Sequence, residues 1–336
     1  MTTDTNDVVN TSENREINIR SVFYKKPIKK DNYNLDIDYD DSPQEVRRQR
    51  LLNYQKKCRD TAVNAARDIL DEILLSDDEI EELPEVEKDK KKYFKKHKKQ
   101  FVNKLMMSEW MLDVPEDLLE NWSMVPCPKG QRNLLIASRG KTQAYNRRGE
   151  KLAEFKSALP GGHPEQNNKN CTILDCIWEG TNKTYYVLDV LAWSNQPLLD
   201  CDAEFRRYWI KSKFEETEAL KLKCTYANQY PILSLPSIAC SENLSQYFEN
   251  DLPFSSLDGL LFYHREGHYM HGNTPLVTWL KPFMLSEVLG ISVPPPLSDK
   301  PQGYIDFKHH IISRTNKQKQ YVDRVNLSMD IEDPES

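Results

Sequence analysis

Residues 257–282 have the sequence LDGLLFYHREGHYMHGNTPLVTWLKP, and this stretch decides the fold. The apolar and aromatic run at 260–263 has high strand propensity, and 276–280 supplies a matching return strand. A glycine-asparagine pair at 272–273 marks the turn, and Pro282 ends the second strand. The stretch therefore predicts a β-hairpin.

Composition indicates which part of the chain carries the core. Of the 336 residues, 38% are hydrophobic and 29% are charged, a polar balance that predicts some disorder. All 11 glycines lie at or after Gly130, and all six tryptophans lie at or after Trp110. Tight turns and large core aromatics are therefore expected only in the C-terminal two thirds.

The chain lacks the sequence signals of several protein classes. No apolar run approaches the length of a membrane span, and the N-terminus has no signal-peptide profile, so we expect a soluble intracellular protein without a membrane partner. The seven cysteines form no C-x-x-C pair, which favours reduced thiols. There is no G-x-G-x-x-G motif, no P-loop and no alternation of strands and helices typical of a parallel sheet.

The first hundred residues are organised by charge. Residues 1–41 are polar and predicted to be disordered, and the acid-then-lysine run at 76–100 is predicted to be a linker. Between them, 42–75 has apolar residues every three or four positions after an N-capping serine, which predicts a helix. Its basic residues call for an acidic partner. They are Arg47, Arg48, Arg50, Lys56, Lys57, Arg59 and Arg67.

A compact domain is predicted over residues 101–293. The stretch 101–112 is typical of a short helix or a helix that leads into a strand. Besides the hairpin, strands are predicted at 122–125, 133–138, 172–178 and 184–192, with helical inserts near 201–218 and 241–250. This pattern predicts an α+β fold built on largely antiparallel sheets with flanking helices. Residues 294–336 are predicted to be a flexible tail.

The hairpin motifs resemble those of a known superfamily. An Asp-Gly-Leu-hydrophobic-Phe strand at 258–262 is followed by a Leu-x-x-Trp-x-Lys-Pro strand at 276–282, and these are similar to the last two motifs of mRNA capping guanylyltransferases and RNA ligases. The hairpin also resembles, together with five other segments, the cap-binding domain of the snurportins, which are import adaptors for spliceosomal ribonucleoproteins. These segments are 107–115, 136–140, 158–162, 172–177 and 184–190. The resemblance implies a fold similar to that of the capping guanylyltransferases.

The covalent chemistry of that superfamily is not expected here. Its enzymes use the lysine of a K-x-D-G-x-R motif to attack a nucleotide phosphate, and Cys127 stands at that position. Lys129 lies two residues further, ~7 Å along a strand, whereas reacting atoms must approach to about 3–3.5 Å. Thr278 replaces a second, phosphate-contacting lysine. The expected protein has no catalytic residue and no cofactor, and an active guanylyltransferase or ligase that uses Lys129 is the alternative.

The resemblance implies that the ligand is the 2,2,7-trimethylguanosine cap of a spliceosomal U snRNA. It assigns Trp279 to stacking on the cationic base, Trp110 to the N2 dimethyl group and Ser108 to a polar contact, with Cys127 in the same site. Arg132 and Arg147 are assigned to the phosphate bridge. On pattern alone, the tryptophans could be core residues, Arg132 a surface ion pair and Ser108 a helix cap.

The resemblance also assigns the basic helix to importin-β, although its interrupted basic run fits another karyopherin too. The first fifteen residues lack the spacing of an exportin-binding signal, which argues against recycling by that route. A shuttling protein of cytoplasm and nucleus is expected. His264, His268 and His271 fall in the predicted turn, where we expect them to face solvent rather than bind a metal. A third hypothesis is a karyopherin cargo or scaffold that does not bind RNA.

Overall fold

The strands of this protein form two sheets that pack against each other. The computed structural model describes residues 43–57, 101–165, 169–241, 244–248, 254, 256–314 and 316. All of them belong to one compact unit, Asp41–Ser336. The predicted disordered segment 1–41, the linker 76–100 and the second half of the basic helix lie outside the described residues.

Most of the described elements are β-strands, and the helices are few and mostly short. The strands are β1 Met106–Trp110, β2 Trp122–Pro128, β3 Gln131–Ser138, β4 Lys141–Tyr145, β5 Lys151–Phe155, β6 Cys171–Glu179, β7 Thr184–Trp193, β8 Gln196–Pro197, β9 Ile232–Ser234, β10 Ile238–Ala239, β11 Leu257–His264 and β12 Gly272–Leu280. The α-helices are α1 Gln44–Lys57, α2 Leu118–Asn121, α3 Ala203–Glu216, α4 Leu244–Tyr247 and α5 Leu285–Val288. Single 3-10 turns span Glu218–Lys221 and Pro282–Met284.

The predicted hairpin is confirmed as β11 and β12, which lie in the first sheet. That sheet has the order β1-β12-β11-β2-β10, and the second has the order β5-β4-β3-β6-β7-β8 with β9 beside β7. Among the described pairs, β1–β12 and β7–β9 are parallel and the others antiparallel. The predicted α+β fold with largely antiparallel sheets is therefore confirmed.

Apolar side chains fill three layers. Val125 and Leu261 of the first sheet pack with Leu188 of the second, so one core lies between the sheets. A second core lies under α3, which contributes Ile210. A third core covers the outer face of the first sheet and includes Phe307.

Six of the described strands were not predicted as strands: β1, β4, β5 and the short β8, β9 and β10. The segment expected to be helical near 101–112 forms β1, which pairs with β12 at the edge of its sheet. Strands β4 and β5 were not predicted, because their short KTQAY and KLAEF sequences are half polar and lie towards an exposed edge. Only pairing makes them strands: β4 pairs with β3, and β5 pairs with β4.

The flexible tail predicted from residue 294 is wrong for residues 297–314. Residues 307–314 are helical and form what we call the C-terminal helix. Phe307 is 8% exposed in the third core, and its N–H donates to a carboxylate oxygen of Glu287 at 2.7 Å. The hydroxyl of Tyr304 donates to the same carboxylate at 2.9 Å. Burial of aromatic surface holds this segment on the domain. The prediction of a flexible tail missed this contribution because the segment is mostly polar.

Within the described part of the chain, no helix has the length and apolar character needed to cross a membrane.

Candidate ligand-binding cleft

A cavity of about 320 Å³ opens between the edges of the two sheets. It lies within the size range typical of small-molecule sites. Five of the six residues assigned to the ligand by resemblance line it, although they come from four different strands. They are Ser108, Trp110, Cys127, Arg132 and Trp279.

Trp279 lies flat across the backbone of the neighbouring strand because that strand carries a glycine. A Cβ atom built on Gly259 would stand 2.1 Å from Cζ2 of Trp279 and 2.5 Å from its Cη2. Any other residue at this position would push the indole away. Gly259 of the Asp258-Gly259 pair thus has a defined role: it leaves room for the aromatic ring on β12.

The second tryptophan is held beside the first by strand pairing. Trp110 is the register partner of Trp279 across the parallel pair β1–β12. Its ring makes edge contacts with His310 at 5.1 Å and with Phe307 at 6.4 Å between centroids. Both tryptophans are half-buried, so each keeps part of its ring available to a ligand.

Cys127 is not a nucleophile in this structure. Its side chain is 1% exposed, and burial raises the pKa of the thiol to about 12, against the smaller opposing effect of Arg132. At neutral pH the thiol is therefore protonated and unreactive. Lys129 is exposed in the turn between β2 and β3 and does not line the cleft. Thr278 is fully buried and does not line it either, although Trp279 beside it does.

Arg132 is anchored by a buried network. Its Nε and Nη2 donate to the two oxygens of Asp175 at 2.6 and 2.7 Å, and Nη2 also donates to the carbonyl oxygen of Met106 at 2.9 Å. The hydroxyl of Tyr269 donates to the same carboxylate at 2.8 Å. Asp175 is fully buried, so Arg132 forms an ion pair inside the domain rather than the surface pair of the alternative reading.

Two other side chains were predicted to contact the ligand, Arg147 and Ser108. Arg147 is exposed in the turn between β4 and β5 and is not among the residues that line the cleft. Ser108 lies within strand β1, so the alternative of a helix cap is wrong.

Sequence reasoning missed two acidic residues in the cleft. Glu109 pairs with Arg47, with contacts of 2.5 and 2.8 Å between the guanidinium and the carboxylate. Asp258 pairs with Lys281 at 2.7 Å, and that ammonium lies 5.4 Å from the ring centroid of Trp279. Asp258 belongs to a motif and could have been found, whereas nothing in the sequence couples Glu109 to a residue of the N-terminal helix.

Helix α1 packs on the domain partly through Arg47, Arg48 and Lys56, which were predicted to bind an importin. Arg48 is 1% exposed, and it donates to Glu45 at 2.7 Å and to the carbonyl oxygen of Asp113 at 2.6 Å. Lys56 pairs with Glu266 at 3.2 Å. The sequence predicted an intermolecular acidic partner, but these basic side chains already contact this chain.

Arg50 and Lys57 are exposed on α1. Arg59 and Arg67 lie outside the described residues.

The prediction that three turn histidines face solvent is wrong for His264. It ends β11, is 4% exposed and lies 3.4 Å from Asp117. Burial lowers the pKa of His264, and the charge of Asp117 offsets this only in part. In the described residues, no group of three or more histidine, cysteine or acidic side chains is arranged to hold a metal ion.

A wider depression of about 620 Å³ is lined by Trp193, Trp209 and Lys213 among others. Lys213 is paired with Glu216 at 2.6 Å and lies 5.4 Å from the ring centroid of Trp209. None of the residues assigned to the ligand lines it. The cleft between the sheets is therefore the better candidate site.

Two adjacent tryptophans at one cleft are typical of a domain that stacks on a planar base. Family models give the same class. The model described as "Snurportin1, m3G cap-binding domain" matches residues 104–282, and the model described as "Snurportin1" matches residues 33–68. The chain belongs to the snurportin family and carries its cap-binding domain.

Solved DNA ligases are also similar to this chain. The ligase domain of M. tuberculosis LigD shares 12% identity at a TM-score of 0.36, covering 54% of this chain and 59% of that one. The Chlorella virus DNA ligase-adenylate shares 15% identity at a TM-score of 0.35, covering 54% and 68%. The chain thus spans about three fifths of the length of the first of these. At TM-scores this low, neither likeness bears on function.

Proposed function

We propose that this protein binds the 2,2,7-trimethylguanosine cap of U snRNA in the cleft between its sheets and serves, without catalysis, as an import adaptor. The observation that carries the proposal is Trp279, which Gly259 allows to lie flat at the cleft beside Trp110. The match to the family's cap-binding domain supports it.

Ligand chemistry explains why tryptophans suit this cap. Methylation at N7 places a positive charge on the base, which strengthens stacking on an electron-rich indole. Stacking of a base on an aromatic side chain contributes roughly 1–3 kcal/mol, and we assign it to Trp279. The N2 dimethyl group donates no hydrogen bond, so it suits the apolar wall that Trp110 offers. A monomethylated cap would bury an unpaired amino group there, at a cost of about 1–3 kcal/mol.

A titration with a trimethylated cap dinucleotide, followed by tryptophan fluorescence, tests the proposal. We expect saturable binding by the wild type and a loss of about 5- to 150-fold in Trp279→Ala, which follows from the stacking energy. Trp209→Ala is the matched control, because Trp209 lines the other depression. Undiminished binding in Trp279→Ala would exclude this site. No binding by the wild type, together with capture by an importin, would favour the cargo hypothesis.

The enzyme alternative requires an amine at the nucleophile position. Cys127 is a buried neutral thiol, and Lys129 is exposed in a turn outside the cleft. We therefore expect no covalent adduct when the protein is incubated with labelled GTP or ATP and then denatured. An adduct that disappears in Lys129→Ala would refute the non-enzymatic assignment.

We further propose that the N-terminal region links the cargo to importin-β or another karyopherin, and that the protein shuttles between cytoplasm and nucleus. The second family match, over residues 33–68, supports this assignment. Because Arg47 and Arg48 contact the cap-binding domain, an importin that uses these side chains must compete with Glu109 and the Asp113 carbonyl. A pull-down of the full chain with purified importin-β and, in parallel, with other purified karyopherins tests the link, and the absence of capture by all of them at micromolar concentration would contradict it.

A further inference from the structure

The C-terminal helix is built into the cleft rather than appended to it. Phe307 anchors it in the core, and the side chain of Asp306 accepts from the N–H of His309 at 2.8 Å, which caps its first turn. The aromatic rings of Phe307 and His310 then contact Trp110. These contacts fix the direction of the helix, so that its later residues reach the mouth of the cleft.

Arg314 lies at the end of the described part of this helix. Its guanidinium carbon is 5.6 Å from the ring centroid of Trp110, a cation–π distance, and it lines the cleft. The side chain is exposed, so its charge is available to a ligand in the cleft.

The pairing of charges in the cleft distinguishes Arg314 from the other charged residues there. The four charged residues that line it are Glu109, Arg132, Asp258 and Arg314. Glu109 is paired with an arginine of α1, Arg132 with a buried aspartate, and Asp258 with a lysine of its own sheet. Within the residues that the structure describes, Arg314 has no carboxylate within ion-pair distance.

We propose that Arg314 binds the phosphate bridge of the ligand. This inference rests on the proposed function, because it concerns the same ligand in the same cleft. A phosphate anion gains most from a cation that is not already neutralised, and an arginine offers several N–H donors to its oxygens. Arg132 keeps its bonds to Asp175 and positions the strand, whereas Arg314 supplies the free positive charge.

The experiment compares two ligands that differ only in phosphate. The full-length protein is titrated by calorimetry with trimethylguanosine nucleoside and with the triphosphate-bridged trimethylated dinucleotide. Arg314→Gln is expected to bind the dinucleotide about tenfold more weakly than the wild type, as for the loss of one charge-assisted hydrogen bond. The nucleoside is expected to bind Arg314→Gln as it binds the wild type, because the stacking residues are unchanged.

Two further variants separate charge from position. Arg314→Lys keeps the positive charge and is expected to retain most of the affinity for the dinucleotide. Lys308→Gln removes one charge from an exposed position of the same helix that does not line the cleft, and it is expected to behave as the wild type.

The possible failures are distinguishable. Unchanged dinucleotide affinity in Arg314→Gln, or an equal loss with both ligands, overturns the assignment of Arg314 to the phosphates while cap binding itself stands. A wild-type protein that binds neither ligand overturns the proposed function, and this inference with it.

Discussion

Replacing Gly259 by alanine should displace Trp279 from its position in the cleft. The new Cβ would lie 2.1 Å from Cζ2 of the indole, whereas ordinary contacts begin at 3.4 Å. The ring must therefore move by about 1.3 Å, the difference between these two distances. Because the nearest atoms are those of the indole itself, the strain falls on the proposed stacking platform.

The expected loss can be estimated from stacking. A displaced indole loses part or all of roughly 1–3 kcal/mol, which corresponds to cap binding weakened by up to about 150-fold. Overpacking should also lower the free energy of unfolding by about 1–3 kcal/mol. Both are measured on one preparation, by fluorescence titration with the trimethylated cap and by urea denaturation.

A matched glycine and a double mutant sharpen the assay. Gly180 lies in the turn between β6 and β7, where an added Cβ would meet only one atom, Nε1 of Trp178 at 3.8 Å, so Gly180→Ala should bind as the wild type. In a Trp279→Ala background the clash is absent, and Gly259→Ala should then cost little further affinity or stability. Additive losses from the two substitutions, or wild-type affinity in Gly259→Ala, would refute this reasoning.

Three other predictions concern burial. Arg48→Ala should lower the free energy of unfolding, measured by urea denaturation, by about 2 kcal/mol or more, because it leaves buried acceptors unpaired. The control Lys57→Ala, on the same helix, should change this free energy by less than about 0.5 kcal/mol. Iodoacetamide at pH 8 should label the exposed Cys224 and spare Cys127, because Cys127 is buried and the pKa of its thiol is about 12. Peptide mass spectrometry measures the labelling of each cysteine. Rapid labelling of both cysteines would contradict the burial of the Cys127 thiol. Burial holds the pKa of His264 in the folded protein below its ordinary 6.5. As the pH falls, the unfolded chain therefore binds a proton at this residue more readily than the folded chain does. The free energy of unfolding should consequently decrease as the pH drops below about 6.5. This loss should shrink in His264→Gln, and equal pH dependence in the two proteins would exclude that residue as its source.

The sequence was sufficient to predict the features whose residue pattern lies within one short segment. The hairpin was predictable because strand-forming runs flank a turn, and Trp279 because its strand carries a motif. The α+β class followed from the same strand signals. Strands β4 and β5 were not predictable, since their polar sequences become strands only through the pairing of β4 with β3 and of β5 with β4.

The parts that could not be predicted depend on contacts between distant segments. The role of Gly259 appears only when register sets it against the Trp279 ring. Arg314 reaches Trp110 because Phe307, in a segment of polar composition, is buried in a core formed by other elements. Similarly, the sequence did not couple Arg47 of α1 to Glu109, because the two residues are far apart in the chain.

The ratio of affinities for trimethylated and 7-monomethylated cap dinucleotides tests the proposed function most directly. Both ligands stack on Trp279 and carry the same phosphates, so the ratio isolates the N2 dimethyl group beside Trp110. An unpaired amino group costs about 1–3 kcal/mol, which predicts that the wild type binds the trimethylated cap about 5- to 150-fold more tightly. Equal affinities, or a preference for the monomethylated cap, would contradict the assignment of this cleft to trimethylguanosine.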